Sequence, residues 1–438
     1  MKSVGLIFFP AFDWCITPDH PEREERLLYT RDQIEEEGLL DLPEFREYRP
    51  RLATDHELSR AHVFVPNIRA HLTESHRIAA GGAIAAADLV LRGTEKRACA
   101  LVRPPGHHSM RFVHGARGFC LVNNEAVMVE HIRQQLGPQA KIAIVDTDVH
   151  HGDGTQDIYY NDPNVLHISL HQDGRTLYPG TGFMNERGGP GAFGLTVNVP
   201  LPPGTGDGGL LYVIENLVLP ILKEWQPDIV VNGAGQDNHF TDPLANMEVT
   251  AQGYARLTEL LQPDIVVLEG GYSVEGALPY VNLGILLALA GLDYSQVVEP
   301  DLERVKPRQA QRVTDHIAWL VDELGQMWAG RKGVDLEAHF GKGKFFERKR
   351  MVYYDTAGIT ETQNGKIRLC SSCAGWELVE SRSDRYAYAT VAVMLPWNAC
   401  PGCRGEAEAA YQEQISEKKA KKVVFCDPER DKVLGCTN

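Results

Sequence analysis

The chain has 438 residues, 43% of them hydrophobic, which is enough for one large α/β core with a smaller second domain. Its 44 Lys and Arg against 59 Asp and Glu leave a formal charge of −15, which disfavours direct binding to a nucleic-acid backbone and suits a cationic substrate or simply solubility. No apolar run reaches the roughly 18 residues of a membrane span, and the 9 Cys, an odd number with four in paired CxxC motifs, indicate metal binding in a reducing, cytoplasmic setting rather than a disulfide framework.

In chain order, segment 1–12 carries one Lys and an apolar run broken by Pro10, and reads as a first strand rather than a signal peptide. A helix is expected at 71–91, a strand at 98–102, a helix at 125–136, strands at 141–145, 165–169 and 195–199, a helix at 208–225, a strand at 228–231, a helix at 246–261 and a strand at 264–268. Near-continuous apolar strands alternating with helices indicate a parallel sheet covered on both faces. An amphipathic helix at 309–328 closes a first domain at 1–330, a linker follows at 331–350, and residues 351–438 form a second module. That module has a strand-like stretch at 386–394, a charged helical run at 406–422 and then Val423-Val424-Phe425.

Ligands of open parallel α/β sheets sit at the carboxyl ends of the strands. Four expected strands run there into unusual polar clusters: Arg103-Pro-Pro-Gly-His107-His108, Asp146-Thr-Asp148-Val-His150-His-Gly-Asp153-Gly, Gly235-Gln-Asp237-Asn-His-Phe-Thr-Asp242-Pro-Leu244, and Glu269-Gly-Gly-Tyr272. Asp148 and His150, two apart, share one face of an extended segment, and Asp237 can join them from a neighbouring strand end. Two carboxylates and one imidazole with a position left for water are how catalytic zinc is held. The adjacent His107 and His108 can enter one small volume, with Asp146 and Asp153 as carboxylate partners that set tautomer and basicity. Tyr272, after two glycines, can bring a phenol over the metal as an oxyanion donor.

Together these residues resemble the superfamily of histone deacetylases, acetylpolyamine amidohydrolases and acetoin-utilisation proteins. Gly118-Phe-Cys-Leu-Val-Asn-Asn, Ile168-Ser-Leu-His, Tyr178-Pro-Gly-Thr-Gly and the early Thr17-Pro-Asp-His-Pro-Glu-Arg extend the resemblance in family order. It implies a three-layer arginase-like fold with a mainly parallel eight-stranded sheet, and a deacetylase that acts on an acetylated protein or a small acetylated amine. It also implies catalytic zinc on Asp148, His150 and Asp237, with His108 as proton acceptor and donor, His107 as electrostatic partner and Tyr272 as the polarising phenol. Phe119 and Tyr178 would wall the acyl-lysine tunnel, and the Gly118 carbonyl would accept the substrate amide N–H. A monovalent-cation site, for K+, would use Asp146, Asp148, His150, Ser169 and Leu170, mostly through backbone oxygens. The family's wall is more often Phe-Phe, so Tyr178 is a departure expected to narrow or polarise the tunnel. Leu244 stands where a polyamine-selective branch carries an acidic gatekeeper, which weakens a polyamine reading.

Cys370-Ser-Ser-Cys373, the stretch 374–399, then Cys400-Pro-Gly-Cys403 form a zinc-ribbon-like pattern, each CxxC clamping one side of a structural Zn2+. A thioredoxin-like redox role lacks the surrounding βαβ pattern. The deacetylase domain, with a core of its own, is expected to stand independently of this module. Two rivals are an arginase-type ureohydrolase with two manganese ions, in which the His pair lacks a role, and a non-catalytic acyl-lysine scaffold, which would not need the water-activating set. Physiological substrate and oligomeric state are open at this stage.

Overall fold

The computed structural model describes residues 3–9, 16–17 and 19–437. Eight strands form one all-parallel sheet: β1 (Val4–Phe8), β2 (Phe45–Tyr48), β3 (Arg97–Leu101), β4 (Ile142–Asp146), β5 (Val165–Gln172), β6 (Thr196–Leu201), β7 (Ile229–Ala234) and β8 (Ile265–Leu268). Their order across the sheet is β2-β1-β3-β8-β7-β4-β5-β6. Residues 1–2 and 10–12 of the expected first strand, and Pro18 of the early motif, lie outside the described residues.

Alternate side chains feed opposite layers, as the period of two requires. Cys99, Leu101, Ala143 and Val145 join one buried cluster, and Ala98, Ala100, Ile142 and Ile144 join the other. Helices Glu74–Leu91, Asn124–Leu136, Ala251–Leu261 and Gln311–Gly330 fall where helical spacing predicts them. The third starts later than expected because the Thr250 side chain accepts from the Gly253 N–H and caps it there. The expected helix at 208–225 is continuous in direction but opens into a π segment at Ile214–Val218. Pro220 has no N–H to give the preceding turn, and the Leu219 N–H reaches back to the Ile214 carbonyl instead.

Other elements carry too little pattern to be expected. Strand β2 is short with two exposed residues, helix Asp153–Tyr159 is also short, and helix Glu25–Glu36 is mostly polar. Helix Leu278–Ala290 is apolar on nearly all sides, so no amphipathic period marks it.

A second, six-stranded sheet runs in sequence order through β9 (Phe345–Tyr354), β10 (Ile359–Arg368), β11 (Glu377–Ser383), β12 (Ala389–Met394), β13 (Lys422–Asp427) and β14 (Lys432–Thr437). It is antiparallel except for β12 and β13, which helix Pro401–Glu417 connects in parallel. Strand β9 begins inside the 331–350 stretch expected to be linker. The module does not stand apart from the first domain. Val63 and Phe112 share a buried apolar cluster with Ala392 and Val424, and Met110 shares another with Val352, Tyr354 and Ile359. Asn161 Nδ2 donates to the Ala374 carbonyl (2.8 Å) and Trp397 Nε1 to Glu130 Oε2 (3.1 Å), closing polar gaps in the same interface. The two parts thus share buried apolar residues, and those of the first domain lose their cover if the module is removed.

One buried histidine of the first domain gives a pH test of the fold. His62 Nδ1 pairs with the Met110 carbonyl (2.9 Å) while Nε2 accepts from the Asn123 N–H (2.9 Å), so a second ring proton would break one bond. Burial lowers its pKa to about 3. The neutral form is the folded form, so its stabilisation is complete above the unfolded value near 6.5 and is lost progressively as pH falls below it. Between pH 7 and pH 5 the wild-type chain is expected to lose about 2 kcal/mol more than His62→Gln, whose amide can replace both bonds without titrating. Denaturant titrations at the two pH values check this, and equal losses would remove His62 as the cause.

Candidate active site

The four loops singled out in the sequence leave β3, β8, β7 and β4, which are the four adjacent central strands of the sheet. Topology thus brings them to one edge. Asp148 and His150 follow β4 and Asp237 follows β7; one donor atom from each lies within 4.8 Å of the others. His150 Nδ1 is 3.1 Å from both Asp148 Oδ1 and Asp237 Oδ2. Burial pulls the His150 pKa down, but the two carboxylates more than reverse this and raise it to about 10. Two buried carboxylates gripping one imidazole form a strong cation trap, and a divalent ion can take the place of the shared proton. Glycine is required beside them. The Gly270 N–H donates to Asp148 Oδ2 (2.7 Å), and a Cβ at Gly270 would sit 2.3 Å from Asp237 Oδ2.

The histidine pair lies against this group. His107 Nδ1 contacts Asp146 Oδ2 (2.9 Å) and His108 Nδ1 contacts Asp153 Oδ1 (2.9 Å), with the ring centroids 4.1 Å apart. Burial opposes charge on both rings, yet they part company. Asp148 and Asp146 raise His107 well above its ordinary value, whereas burial and the neighbouring His107 lower His108 to about 3. The pair therefore offers one cationic ring and one neutral base.

Tyr272 sits on the loop after β8, and three groups to which the sequence assigned no role hold it. Arg26 lies 4.9 Å from the ring centroid and donates to the carbonyls of Gly271 (2.7 Å) and Glu269 (2.5 Å). Glu22 holds Arg26 (3.1 Å) and also Arg103 through two bonds of 2.9 and 2.7 Å. Asp242 Oδ2 accepts from the Tyr272 N–H (2.7 Å) and its Oδ1 from the Leu244 N–H (2.9 Å), which places Leu244 beside the same loop. Burial, with Asp237 the main carboxylate, raises the Tyr272 pKa well above its ordinary value, so the phenol keeps its proton and remains a donor. The signal for Glu22 and Arg26 was present as an i,i+4 acid–base pair that begins inside the early motif, but only burial gives such a pair weight.

Gly118, Phe119 and Tyr178 border the cluster. Phe119 lies edge-on to Tyr272 at 5.5 Å and to His20 at 4.4 Å, and Tyr178 lies edge-on to His108 at 5.1 Å. Gly118 has φ +49°, and a Cβ there would meet His108 Cδ2 at 2.3 Å, so the loop closes over the histidine only with glycine. Ser169 pairs with Asp146 in the β4–β5 register, and Leu170 follows it.

In the second module the Sγ atoms of Cys370, Cys373, Cys400 and Cys403 also gather within 4.8 Å. Cys370 and Cys400 Sγ are 3.9 Å apart. Thiolates bound at about 2.3 Å to one tetrahedral ion stand about 3.8 Å from each other, so the set fits zinc. Backbone N–H groups of Ser372, Gly375 and Cys403 each point at a sulfur (3.4 Å). Burial opposes the Cys370 thiolate, but such N–H donors lower its pKa to about 7.

Among known proteins, residues 65–282 match the histone deacetylase domain. A probable deacetylase of Archaeoglobus fulgidus is 45% identical over 312 residues, 65% of this chain and 85% of that protein. The histone deacetylase-like amidohydrolase of Pseudomonas aeruginosa is 39% identical over 228 residues, 50% of this chain and 59% of that protein. The crystal structure of the HDA15 HD domain superposes with TM-score 0.63 at 30% identity, covering 76% of this chain and 96% of its own. With the parallel sheet and the polar loops already in place, these likenesses identify the chain as a member of the histone deacetylase family.

Proposed function

We propose that the chain is a zinc-dependent deacetylase hydrolysing the acetyl-amide of acetyl-lysine or a related acetylated amine. The observation that carries this is the convergence of Asp148, His150 and Asp237 beside a histidine pair with opposite protonation tendencies. A zinc ion on those three residues would supply Lewis acidity toward the amide carbonyl and make water more acidic. His108, neutral and oriented by Asp153, takes the water proton and returns it to the leaving amine, while His107, paired with Asp146, holds positive charge close to the reacting centre. Tyr272 donates its phenolic hydrogen to the oxyanion as the carbonyl carbon becomes tetrahedral. Phe119 and Tyr178 wall the acyl chain, and the Gly118 carbonyl orients the amide N–H.

A K+ ion held by Asp146, Asp148, His150, Ser169 and Leu170 belongs to the same reading, supported by the register of Ser169 with Asp146. A second zinc on the four cysteines is supported by their spacing and by the N–H groups around them. A cytoplasmic setting is supported by the absence of disulfides among the described cysteines. Among the described residues no helix is long and apolar enough to cross a membrane.

The purified chain is expected to release acetate from an acetyl-lysine peptide, to be stopped by a hydroxamate and to carry two zinc ions. Acetylated polyamines and arginine run in parallel separate the rivals; urea release with bound manganese would overturn the reading. Changing Cys370 and Cys373 together to Ser is expected to remove one zinc and unfold the region around it, because binding energy at such a site is coupled to folding. Two zinc ions retained in that variant would place the second ion elsewhere.

A further inference from the structure

The six-stranded module does more than cover the first domain. The turn between β9 and β10, residues 355–358, reaches the border of the candidate active site. Asp355 Oδ1 accepts from the Tyr178 hydroxyl (2.9 Å) and from the Gly118 N–H (3.0 Å). One residue earlier in this hairpin, Tyr354 is anchored by its hydroxyl on the Phe112 carbonyl (2.6 Å), and before it the Tyr353 carbonyl accepts from Arg117 Nε (3.1 Å). Arg117 in turn forks onto Asp153 (2.7 and 2.6 Å), the carboxylate that orients His108.

We propose that Asp355 is a positioning residue of the active site, supplied by the C-terminal module to fix Tyr178 and the Gly118 loop against the substrate. The proposal rests on the deacetylase reading for what Tyr178 and Gly118 touch. It also gives the departure from a Phe-Phe wall a physical reason. A phenylalanine at 178 could fill the wall but could not bind the module, whereas the tyrosine hydroxyl spends its one hydrogen on Asp355. Both bonds run to the same oxygen of a half-buried carboxylate, so the phenol and the Gly118 N–H are held at one distance from each other. Gly118 has little freedom to adapt, because His108 lies directly against it.

The test is a double-mutant cycle on the full-length zinc-loaded protein with Asp355→Ala and Tyr178→Phe, reading kcat and KM on an acetyl-lysine peptide. Each single change is expected to raise KM about tenfold, as loss of a charge-assisted hydrogen bond does, with a smaller change in kcat. The double variant should be no worse than the worse single one, because both remove the same bond. Asp355→Asn keeps an acceptor oxygen in place and should recover most of the loss, and it covers the case in which the alanine variant folds poorly. Multiplying effects in the double variant, or a wild-type KM in Asp355→Ala, would overturn the proposal. A readout free of catalysis separates it from the function reading. With tyrosine labelled at Cζ, the Tyr178 resonance, assigned through Tyr178→Phe, should move in Asp355→Ala, and an unmoved resonance would overturn the contact itself. If the resonance moves while the wild-type chain releases no acetate, the positioning contact stands and the deacetylase reading fails.

Discussion

Asp237→Ala is expected to abolish turnover and to halve the zinc content from two ions per chain to one, with the fold retained. Asp237 would contribute more than a ligand atom. Its Oδ1 accepts from the Val149 N–H (2.9 Å), between Asp148 and His150, while Oδ2 faces His150. Removing it leaves one carboxylate and one imidazole, short of the three protein ligands that a catalytic zinc keeps. The loss is too large to recover by adding zinc at concentrations that saturate the wild type, since the remaining pair lacks both a ligand and a negative charge. The strand that carries the residue is unaffected: β7 ends at Ala234, and its core side chains lie elsewhere. Metal analysis of the purified variant, with circular dichroism for the fold, measures the outcome. Two zinc ions with turnover within tenfold of wild type would show that another carboxylate is the ligand.

The second large effect is expected from Tyr272→Phe, with kcat lowered about a hundredfold while zinc content and KM change little, equivalent to ~3 kcal/mol of transition-state stabilisation. The surroundings make this substitution clean. Arg26 lies over the ring, Phe119 meets its edge, and Asp242 holds the backbone N–H, none of which needs the hydroxyl. The ring therefore stays in place and only the donor is lost. Steady-state kinetics beside a zinc determination check it, and a near-normal kcat would take the phenol out of the mechanism.

Much of this site was legible in the sequence because its residues violate the pattern around them. His107, His108, Asp148, His150 and Asp237 interrupt apolar strands at their carboxyl ends, where a parallel sheet converges, so position in a repeating unit was enough to assemble them. The residues that brace the histidine pair and Tyr272 were harder. Arg26 and Glu22 look like an ordinary surface pair at the start of a polar helix until packing buries them completely. Arg117 acquires meaning only from partners distant in sequence, among them Asp153 and Tyr353. Asp355 lies in Asp-Thr-Ala-Gly, a composition that announces a turn and nothing else. Helix Leu278–Ala290 was hidden for the opposite reason, since uniform burial erases periodicity.

The hydrogen bonds from Asp355 to Tyr178 and Gly118 have a thermodynamic counterpart. Coupling free energy between two places in a molecule is reciprocal. If the hairpin raises the affinity of the site for its substrate, an occupied site must hold the hairpin by the same factor, and with it the sheet on which the hairpin is built. A zinc ion on the module's four cysteines would enter the same balance, for an ion that favours the folded sheet also favours the hairpin that contacts Tyr178 and Gly118. Substrate, hairpin and such an ion would then form a single linked equilibrium, in which scarcity of either ligand loosens the other's site across the length of the module.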